Sequence, residues 1–315
     1  QQKTSVNSVA GIIFRDDSGK LVRTSDRLPI ADLDSVVFPD YEGLGYLDYL
    51  KNILTSDERE LAIVDNPRPI SIISSRSCPY SCTFCYHPLG KKYRQRSLDN
   101  FFDELDNYIN TYACNIVFVL DELFSVNKER IIEFCNRIKR YNVKWIVQLK
   151  VNDVSKEILE IMRDAGCYVI SYGIESGSNK ILTSMRKPIC VDDILCCLSI
   201  TYDAMIGVQG NFLFGDRSET VDTFIETLSI WIKLQKKHHI YMIPIELYPG
   251  TELFDWACNK GLILDKHDYI NNNCPSINLT SMTDNIYLRL LLTSYLLRKS
   301  FQAIPAKLIV SEQKG

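Results

Sequence analysis

The chain reads as an α/β protein: an open, partial (β/α)6 barrel with a small N-terminal lead-in and a C-terminal, mainly helical extension. Two observations predict this. From Pro69 onward, short β-branched runs alternate with segments of helical period in about six strand–helix units, the pattern of a parallel sheet with helices outside it. Six units fall short of the eight of a complete TIM barrel, so the expected fold is TIM-like but unclosed. The expected division is 1–68 for the lead-in or linker, 69–263 for the core and 264–315 for the extension.

The lead-in opens on an apolar run, Val9–Phe14, then a turn signal at Asp16-Asp17-Ser18-Gly19-Lys20, then Leu21 and Val22, which together predict a β-hairpin. An irregular stretch with Pro29, Pro39, Gly43 and Gly45 follows. In the core, strands are expected at 69–74, 115–120, 143–149, 168–174, 208–214 and 240–247. Helices are expected at 98–112, 128–140, 156–165, 179–184 and 191–205. In the second of these, Ile131, Cys135 and Ile138 share one face. Val221, Phe224, Ile225, Leu228 and Ile232 line a further long helix, and 252–260 is a helix stopped by Gly261. The tail from Leu262 holds an Asn-rich loop and a helix whose Ile286, Leu290, Ser294, Leu297 and Phe301 share a face.

The 315 residues carry a net charge of −3, which gives no broad attraction to nucleic acid or an anionic membrane. A local basic patch stays open to the chain, for example Lys91, Lys92, Arg94 and Arg96. The apolar stretch Ile286 to Leu297 is too short to span a bilayer, which takes roughly 18 or more apolar residues. With no signal peptide at its opening, the chain is expected in the cytoplasm, with neither nucleic acid nor membrane as a partner. It does not begin with Met, which suggests a piece cut from something longer.

Eleven cysteines are many for such a chain. Cys114, Cys135, Cys167, Cys196 and Cys197 lie in apolar helix or strand patterns, where free cysteine acts as a small hydrophobe. Cys274, in the polar run Asn271–Pro275, is harder to dismiss. Three others sit together in Ser77-Cys78-Pro79-Tyr80-Ser81-Cys82-Thr83-Phe84-Cys85-Tyr86-His87, a C-x3-C-x2-C spacing just after the first core strand. Three thiolates on a short loop can ligate three irons of a 4Fe–4S cubane and leave the fourth open for substrate, whereas an electron-transfer cluster normally has four cysteine ligands. A zinc site is the alternative, with His87 as fourth ligand, and three incidental cysteines are another.

Cys78, Cys82 and Cys85, with the aromatic Phe84 before the third, resemble the cluster motif of the radical S-adenosylmethionine (SAM) superfamily. The resemblance runs from about Pro69 to Ile263. It extends into the lead-in, where Leu28-Pro29-Ile30-Ala31-Asp32-Leu33-Asp34 and Phe38-Pro39-Asp40-Tyr41 look like the linker of cobalamin-dependent members. It implies the partial (β/α)6 barrel, a 4Fe–4S cluster on the three cysteines, and SAM held on the open iron by its amino and carboxylate groups. It also implies reductive cleavage of SAM to a 5′-deoxyadenosyl radical that takes hydrogen from a substrate.

Motifs at later strand ends agree with this. Leu120-Asp121-Glu122-Leu123 follows the second core strand, where the family holds the SAM ammonium; Asp121 and Glu122 are the carboxylates available. Each also reads as a solvated loop acid ahead of the next helix. Gly173-Ile174-Glu175-Ser176-Gly177-Ser178 matches the family's ribose-binding segment, which assigns Glu175, with Ser176 beside it, to the ribose. A turn with a helix cap is the plain alternative. Gly215-Asp216-Arg217-Ser218-Glu219-Thr220 departs from the family's Gly-x-Pro-Gly-Glu-Thr at Arg217 and Ser218, leaving Gly215 as the candidate contact. Tyr248-Pro249-Gly250-Thr251 fits a Pro-Gly-Thr pattern near adenine, with Tyr248 as the residue named and a Thr helix cap as the second reading.

The reading is therefore a catalytic domain of a cobalamin-type radical SAM methyltransferase or a related enzyme. Its alternatives are a cobalamin-independent oxidoreductase or methylthiotransferase, and a non-catalytic iron–sulfur binding or regulatory protein. No Asp-x-His-x-x-Gly cobalamin motif is present among His87, His238, His239 and His267. Cobalamin then belongs to a missing domain, comes from a partner, or is not used. The implied partners are a small-molecule or biosynthetic-intermediate substrate and a one-electron reductant such as flavodoxin or ferredoxin.

Overall fold

The computed structural model describes residues 5–55, 59–87, 90–124, 127–235 and 237–302; the side chains of residues 59 and 299–302 are outside that description, Phe301 among them. Two short strands, β1 (Ile13–Arg15) and β2 (Leu21–Arg23), pair antiparallel across the turn read from Asp16–Lys20. Helix α1 (Tyr46–Asn52) follows Gly45, whose φ of 68° needs the left-handed freedom of glycine.

The core alternates as expected. Its strands are β3 (Pro69–Ile72), β6 (Ile116–Val119), β7 (Lys144–Leu149), β8 (Cys167–Glu175), β9 (Gly207–Phe214) and β10 (His239–Pro244). A two-residue antiparallel pair, β4 (Ser75–Arg76) with β5 (Arg94–Gln95), lies between the first two. The helices are α2 (Leu98–Tyr112), α3 (Lys128–Ile138), α4 (Lys156–Asp164), α5 (Asn179–Ser184), α6 (Val191–Asp203), α7 (Val221–Leu234) and α8 (Glu252–Asn259). Side-chain caps set several of their starts: Ser97 accepts from the Asn100 N–H, Asn127 from Arg130, Ser155 from Ile158 and Thr251 from Phe254.

The six-stranded sheet runs β3-β6-β7-β8-β9-β10, every neighbour pair parallel. Strand order follows chain order without reversal. Crossovers of one hand then place every helix on the same face, and the other face becomes the inside of an open barrel. Ile70, Val117, Trp145, Val147, Ile170, Tyr172, Val208 and Phe212 face the helices, in one buried cluster with Phe101, Phe134, Leu159, Leu198 and Phe224.

The barrel does not close, and both of its edge strands are covered. An open edge exposes unpaired backbone groups. Along β3 the Tyr41 hydroxyl donates to the Ser71 carbonyl at 2.9 Å and the Tyr46 hydroxyl donates to that of Pro69. Along β10 lies helix α10 (Asp284–Gln302). Its Tyr287 stacks on Phe214 at 5.1 Å, and its Arg298 guanidinium sits 4.7 Å from the Tyr241 ring. Within the face expected of this helix, Ser294 is buried and Leu290 and Leu297 meet the core, while Ile286 is 40% exposed.

Several expectations need correction. The Asn-rich loop is present from Asn272 onward, but an unexpected helix, α9 (Lys266–Asn271), capped by Asp265, precedes it. On α7 the buried residues are Thr223, Phe224, Thr227 and Trp231; Val221, Ile225 and Ile232 are exposed. The helix turns its threonines inward because Thr227 hydrogen-bonds the turn after β8. Cys196 is exposed, whereas Cys114, Cys135, Cys167 and Cys197 are buried as expected. The basic patch is dismantled too. Arg94 is buried, and Arg96 forms a largely buried ion pair with Glu104 beneath Phe38, leaving Lys91 and Lys92 exposed. Among the described residues no helix is long and apolar enough to cross a membrane.

Candidate active site

The cysteine loop springs from the carboxyl end of β3 and is tied down along its length. The β4–β5 pair brackets it. At its root the buried Asp121 accepts hydrogen bonds from the Ser74 N–H at 2.6 Å, the Ser75 N–H at 3.0 Å and the Ser74 hydroxyl. Burial pushes this carboxyl up to about 6, against the pull of those bonds. Arg94 donates to the Ile30 carbonyl at 2.6 Å and the Ser77 hydroxyl at 3.3 Å, so the linker-like lead-in holds the loop. Asp34 adds a second tie by accepting from the Ser97 N–H at 2.9 Å. In mid-loop, Thr83 donates its N–H to the Met185 carbonyl at 3.1 Å and accepts from the Leu253 N–H at 2.9 Å. Phe84 packs on a second apolar cluster that includes Met185, Leu247 and Leu253. Tyr80 receives a hydrogen bond from Lys150 at 3.2 Å, with the ammonium also over its ring.

Cys78, Cys82 and Cys85 are free and half-buried on this loop. Burial pushes each thiol up, Cys85 to about 11. Cys78 and Cys82 act on Cys85 as like charges, and Lys187 pulls all three the other way. Mutually repelling, partly desolvated thiolates form a stable set only around added positive charge, which cationic iron supplies; the donors fit a cluster. Among the described residues no three His, Cys, Asp or Glu side chains are gathered as for one metal ion. Both ring nitrogens of His87 are buried without a hydrogen-bond partner.

Across from the loop, Glu175 ends β8 in the left-handed region, φ 57°, where the β8–β9 register shifts. Such backbone is costly for a non-glycine residue and concentrates at functional sites. Its carboxylate accepts from Lys187 at 2.7 Å, with the two side chains only 11% and 14% exposed. Gly173 lies beneath this pair; a Cβ there would stand 2.5 Å from the Lys187 ammonium and 2.7 Å from the Glu175 carboxylate. Lys187, near Cys78 and Cys82 as well, was absent from the sequence reading because a lone Lys after a short helix carries no motif signal.

The rest of the Gly173–Ser178 run clasps α7. The Ser176 hydroxyl is 3.1 Å from that of Thr227 and accepts from the Ser178 N–H at 3.1 Å. The Gly177 N–H donates to Thr227 at 3.0 Å, and a Cβ on Gly177 would stand 2.7 Å from the Thr227 Cα. Glu122 is exposed and acts electrostatically on Cys78 and Cys85, unlike its buried neighbour Asp121. Gly215 has φ 101°, and a Cβ there would press on Tyr287. Its loop buries Glu219, which accepts from Thr223 at 2.6 Å and is pushed up to about 7 by burial. Tyr248 is 49% exposed and hydrogen-bonds Glu246. The adjoining Gly250 lies against Tyr86 of the cysteine loop. The structure thus gathers the three cysteines, Phe84, Glu122 and Glu175 at one end of the barrel. It commits the polar groups of Asp121 and Ser176 to the chain itself. Cys274 packs against the second apolar cluster.

The sequence profile of the radical SAM superfamily matches residues 72–230, half of the chain. An uncharacterized methyltransferase of Pyrococcus horikoshii is 26% identical over 96% of this chain and 63% of its own length. A bacteriochlorophyllide d C-8(2)-methyltransferase of Chlorobaculum tepidum is 30% identical over 73% of this chain and 53% of its own length. Among solved structures, the radical SAM methyltransferase TsrM from Kitasatospora setae, with cobalamin and a [4Fe-4S] cluster bound, superposes with a TM-score of 0.61. It has 16% identity, over 81% of this chain and 50% of its own. These likenesses establish the shared barrel, and the profile match establishes kinship: the chain belongs to the radical SAM superfamily. It spans only about half to two thirds of the length of these relatives.

Proposed function

We propose that these residues form the catalytic core of a radical SAM methyltransferase. The observation that carries this reading is the meeting, at the carboxyl end of the sheet, of an anchored three-cysteine loop with the strained Glu175 and its partner Lys187. Cys78, Cys82 and Cys85 would hold the 4Fe–4S cluster. When bound, the cluster and SAM supply a 5′-deoxyadenosyl radical, and the protein's part is binding, orientation and exclusion of solvent. Glu175 would accept from the ribose hydroxyls while keeping its bond to Lys187. Glu122, the exposed acid of its pair, would face the SAM ammonium. Asp121 then serves the loop's root and Ser176 the α7 clasp, so both act on SAM through position. Phe84 fixes the loop on the second apolar cluster, and the backbone at Gly215 and Tyr248 would border the adenine end. Methyl transfer is supported by the relatives' names. Cobalamin, present in TsrM, has no ligand motif among these 315 residues and would come from outside them.

Glu175→Gln tests the assignment. It keeps the shape and an acceptor for Lys187 but removes a charged acceptor. Charge-assisted bonds contribute roughly 1.5–3 kcal/mol, so SAM affinity should fall about ten- to a hundred-fold. Iron content should stay that of the parent. Unchanged SAM affinity with a full cluster would remove Glu175 from the SAM site.

A further inference from the structure

The sulfurs of an iron–sulfur cluster accept hydrogen bonds, and these bonds help to set its reduction potential. Backbone N–H groups beside the ligating cysteines are the nearest donors. In this loop two of them are spent on the chain itself. The Thr83 N–H goes to the Met185 carbonyl at 3.1 Å, and the Cys85 N–H goes to the Cys82 carbonyl at 3.2 Å. The Tyr80 N–H is directed at the Cys78 sulfur.

Two side chains of the same loop are in the opposite condition: donors with nothing to bond. Thr83 is fully buried, and its hydroxyl has no hydrogen-bond partner. The backbone of Thr83, bonded to Met185 and Leu253, already anchors the loop without it. His87 buries both ring nitrogens without a partner, while its carbonyl is held by the Gly90 N–H at 3.2 Å. Among the described residues no other stretch so short contains two such side chains. Buried polar groups are paired in nearly every native protein, so an orphaned one points to a group from outside the chain.

Position narrows what that group is. Thr83 follows Cys82 directly and lies inside the turn closed from Cys82 to Cys85. His87 is two residues beyond Cys85, at most about 7 Å along the chain. The pair therefore brackets Cys85 within the cysteine loop.

We infer that the Thr83 hydroxyl and the His87 imidazole donate hydrogen bonds to the sulfurs of the cluster and hold its reduction potential up. This deepens the radical SAM reading and rests on it for the cluster. A hydrogen bond to a thiolate or sulfide draws negative charge off the sulfur, which favours the reduced, more negative cluster. A hydroxyl turns to suit its acceptor, and either tautomer of the imidazole keeps one N–H, so both side chains can donate. As a fourth ligand His87 would close the iron that SAM needs. As a donor to sulfur it leaves that iron open.

The test is a redox titration of the cluster-loaded chain with titanium(III) citrate, followed by the paramagnetic resonance of the reduced cluster. Thr83→Val keeps the volume and removes the hydroxyl. His87→Phe keeps a ring and removes the donor. His87→Asn and His87→Gln return a neutral N–H near the place of one ring nitrogen or the other. Thr83→Val and His87→Phe should each shift the reduction equilibrium about three- to ten-fold toward the oxidised cluster, ten-fold being about 59 mV for one electron. At least one of the two amide variants should restore most of the loss, and iron per chain should stay that of the parent. An unmoved potential in either Thr83→Val or His87→Phe overturns the inference for that residue, and in both overturns it whole. A loss in His87→Phe that neither amide restores marks His87 as packing and overturns its role as a donor. Where His87→Phe takes up no iron, Thr83→Val decides: a lowered potential supports the inference and an unmoved one overturns it. A parent that loads no cluster brings down the radical SAM reading and this inference together. A parent with four irons and 5′-deoxyadenosine formation, but unmoved potentials in the variants, brings down this inference alone.

Discussion

The outer and inner faces of the six-stranded sheet are made by the same strands, one residue out of step. On the outer face Trp145, Val147, Ile170 and Phe212 are buried among helix side chains. On the inner face Gln148 and Asn211 are exposed and Ser171 and Gln209 half-buried, and Gln148 donates to the Glu122 carbonyl at 3.3 Å. A parallel sheet ordinarily reads as continuous hydrophobic runs because both faces are covered. Here alternation persists in β9, where Val208, Phe212 and Phe214 are buried and Gln209 and Asn211 are not. The difference separates what holds the fold from what is left for chemistry.

Breaking the outer face should have the largest effect. Phe134 is fully buried and in ring contact with Phe101, Phe102, Phe124 and Trp145. Phe134→Ala should cost about 3–5 kcal/mol, the usual range for a buried ring with partial collapse of the cavity. Denaturant unfolding reads this directly, and a loss below about 1 kcal/mol would mean that the outer face is not the main source of stability.

The loop root comes next. Asp121→Ala strands two backbone N–H groups and one hydroxyl but also removes a carboxyl that burial disfavours, so a net loss of about 2–3 kcal/mol is expected. Iron per chain after reconstitution should drop with it. Full iron and weakened SAM binding would instead mark Asp121 as a SAM contact.

A smaller, pH-dependent effect belongs to Glu219 on the outer rim of the site. Its carboxyl is raised from 4.5 to about 7 by burial. An acid raised on folding leaves stability intact below its unfolded pKa and erodes it as pH rises through the folded one. Stability should therefore decline between about pH 4.5 and 7 by on the order of 2 kcal/mol, and Glu219→Gln should flatten that decline. Melting temperatures of parent and variant across this window check it; identical slopes would contradict it.

The sequence made the outer face legible and the inner face nearly silent, for a physical reason. Burial against helices imposes apolar periodicity, so α2 and α5 run between the residues expected of them. It also marked Ile131, Cys135 and Ile138 as one buried face. The cysteine spacing and the Gly173–Ser178 run were legible because chemistry fixes residue types at fixed offsets. Interactions between distant segments left no such trace. Lys187 meets Glu175 only in the fold, and α1 is held through Tyr46 on the edge of β3. On α7 the apolar residues misled: Thr227 was drawn inward by the Gly177 turn, leaving Ile225 and Ile232 outside. The start of α9 did carry a signal, the Asp265 side chain capping the His267 and Asp268 N–H groups, masked by the asparagines that follow.

The claim on which the site rests is that Cys78, Cys82 and Cys85 together hold one cluster. Anaerobic reconstitution followed by iron and sulfide determination tests it most directly, on the parent and on Cys82→Ala. About four irons per chain are expected for the parent, with 5′-deoxyadenosine formed on reduction in the presence of SAM. Loss of the iron–sulfur absorption is expected in the variant. One tightly held zinc with no iron in the parent, or an undiminished cluster in Cys82→Ala, would contradict it.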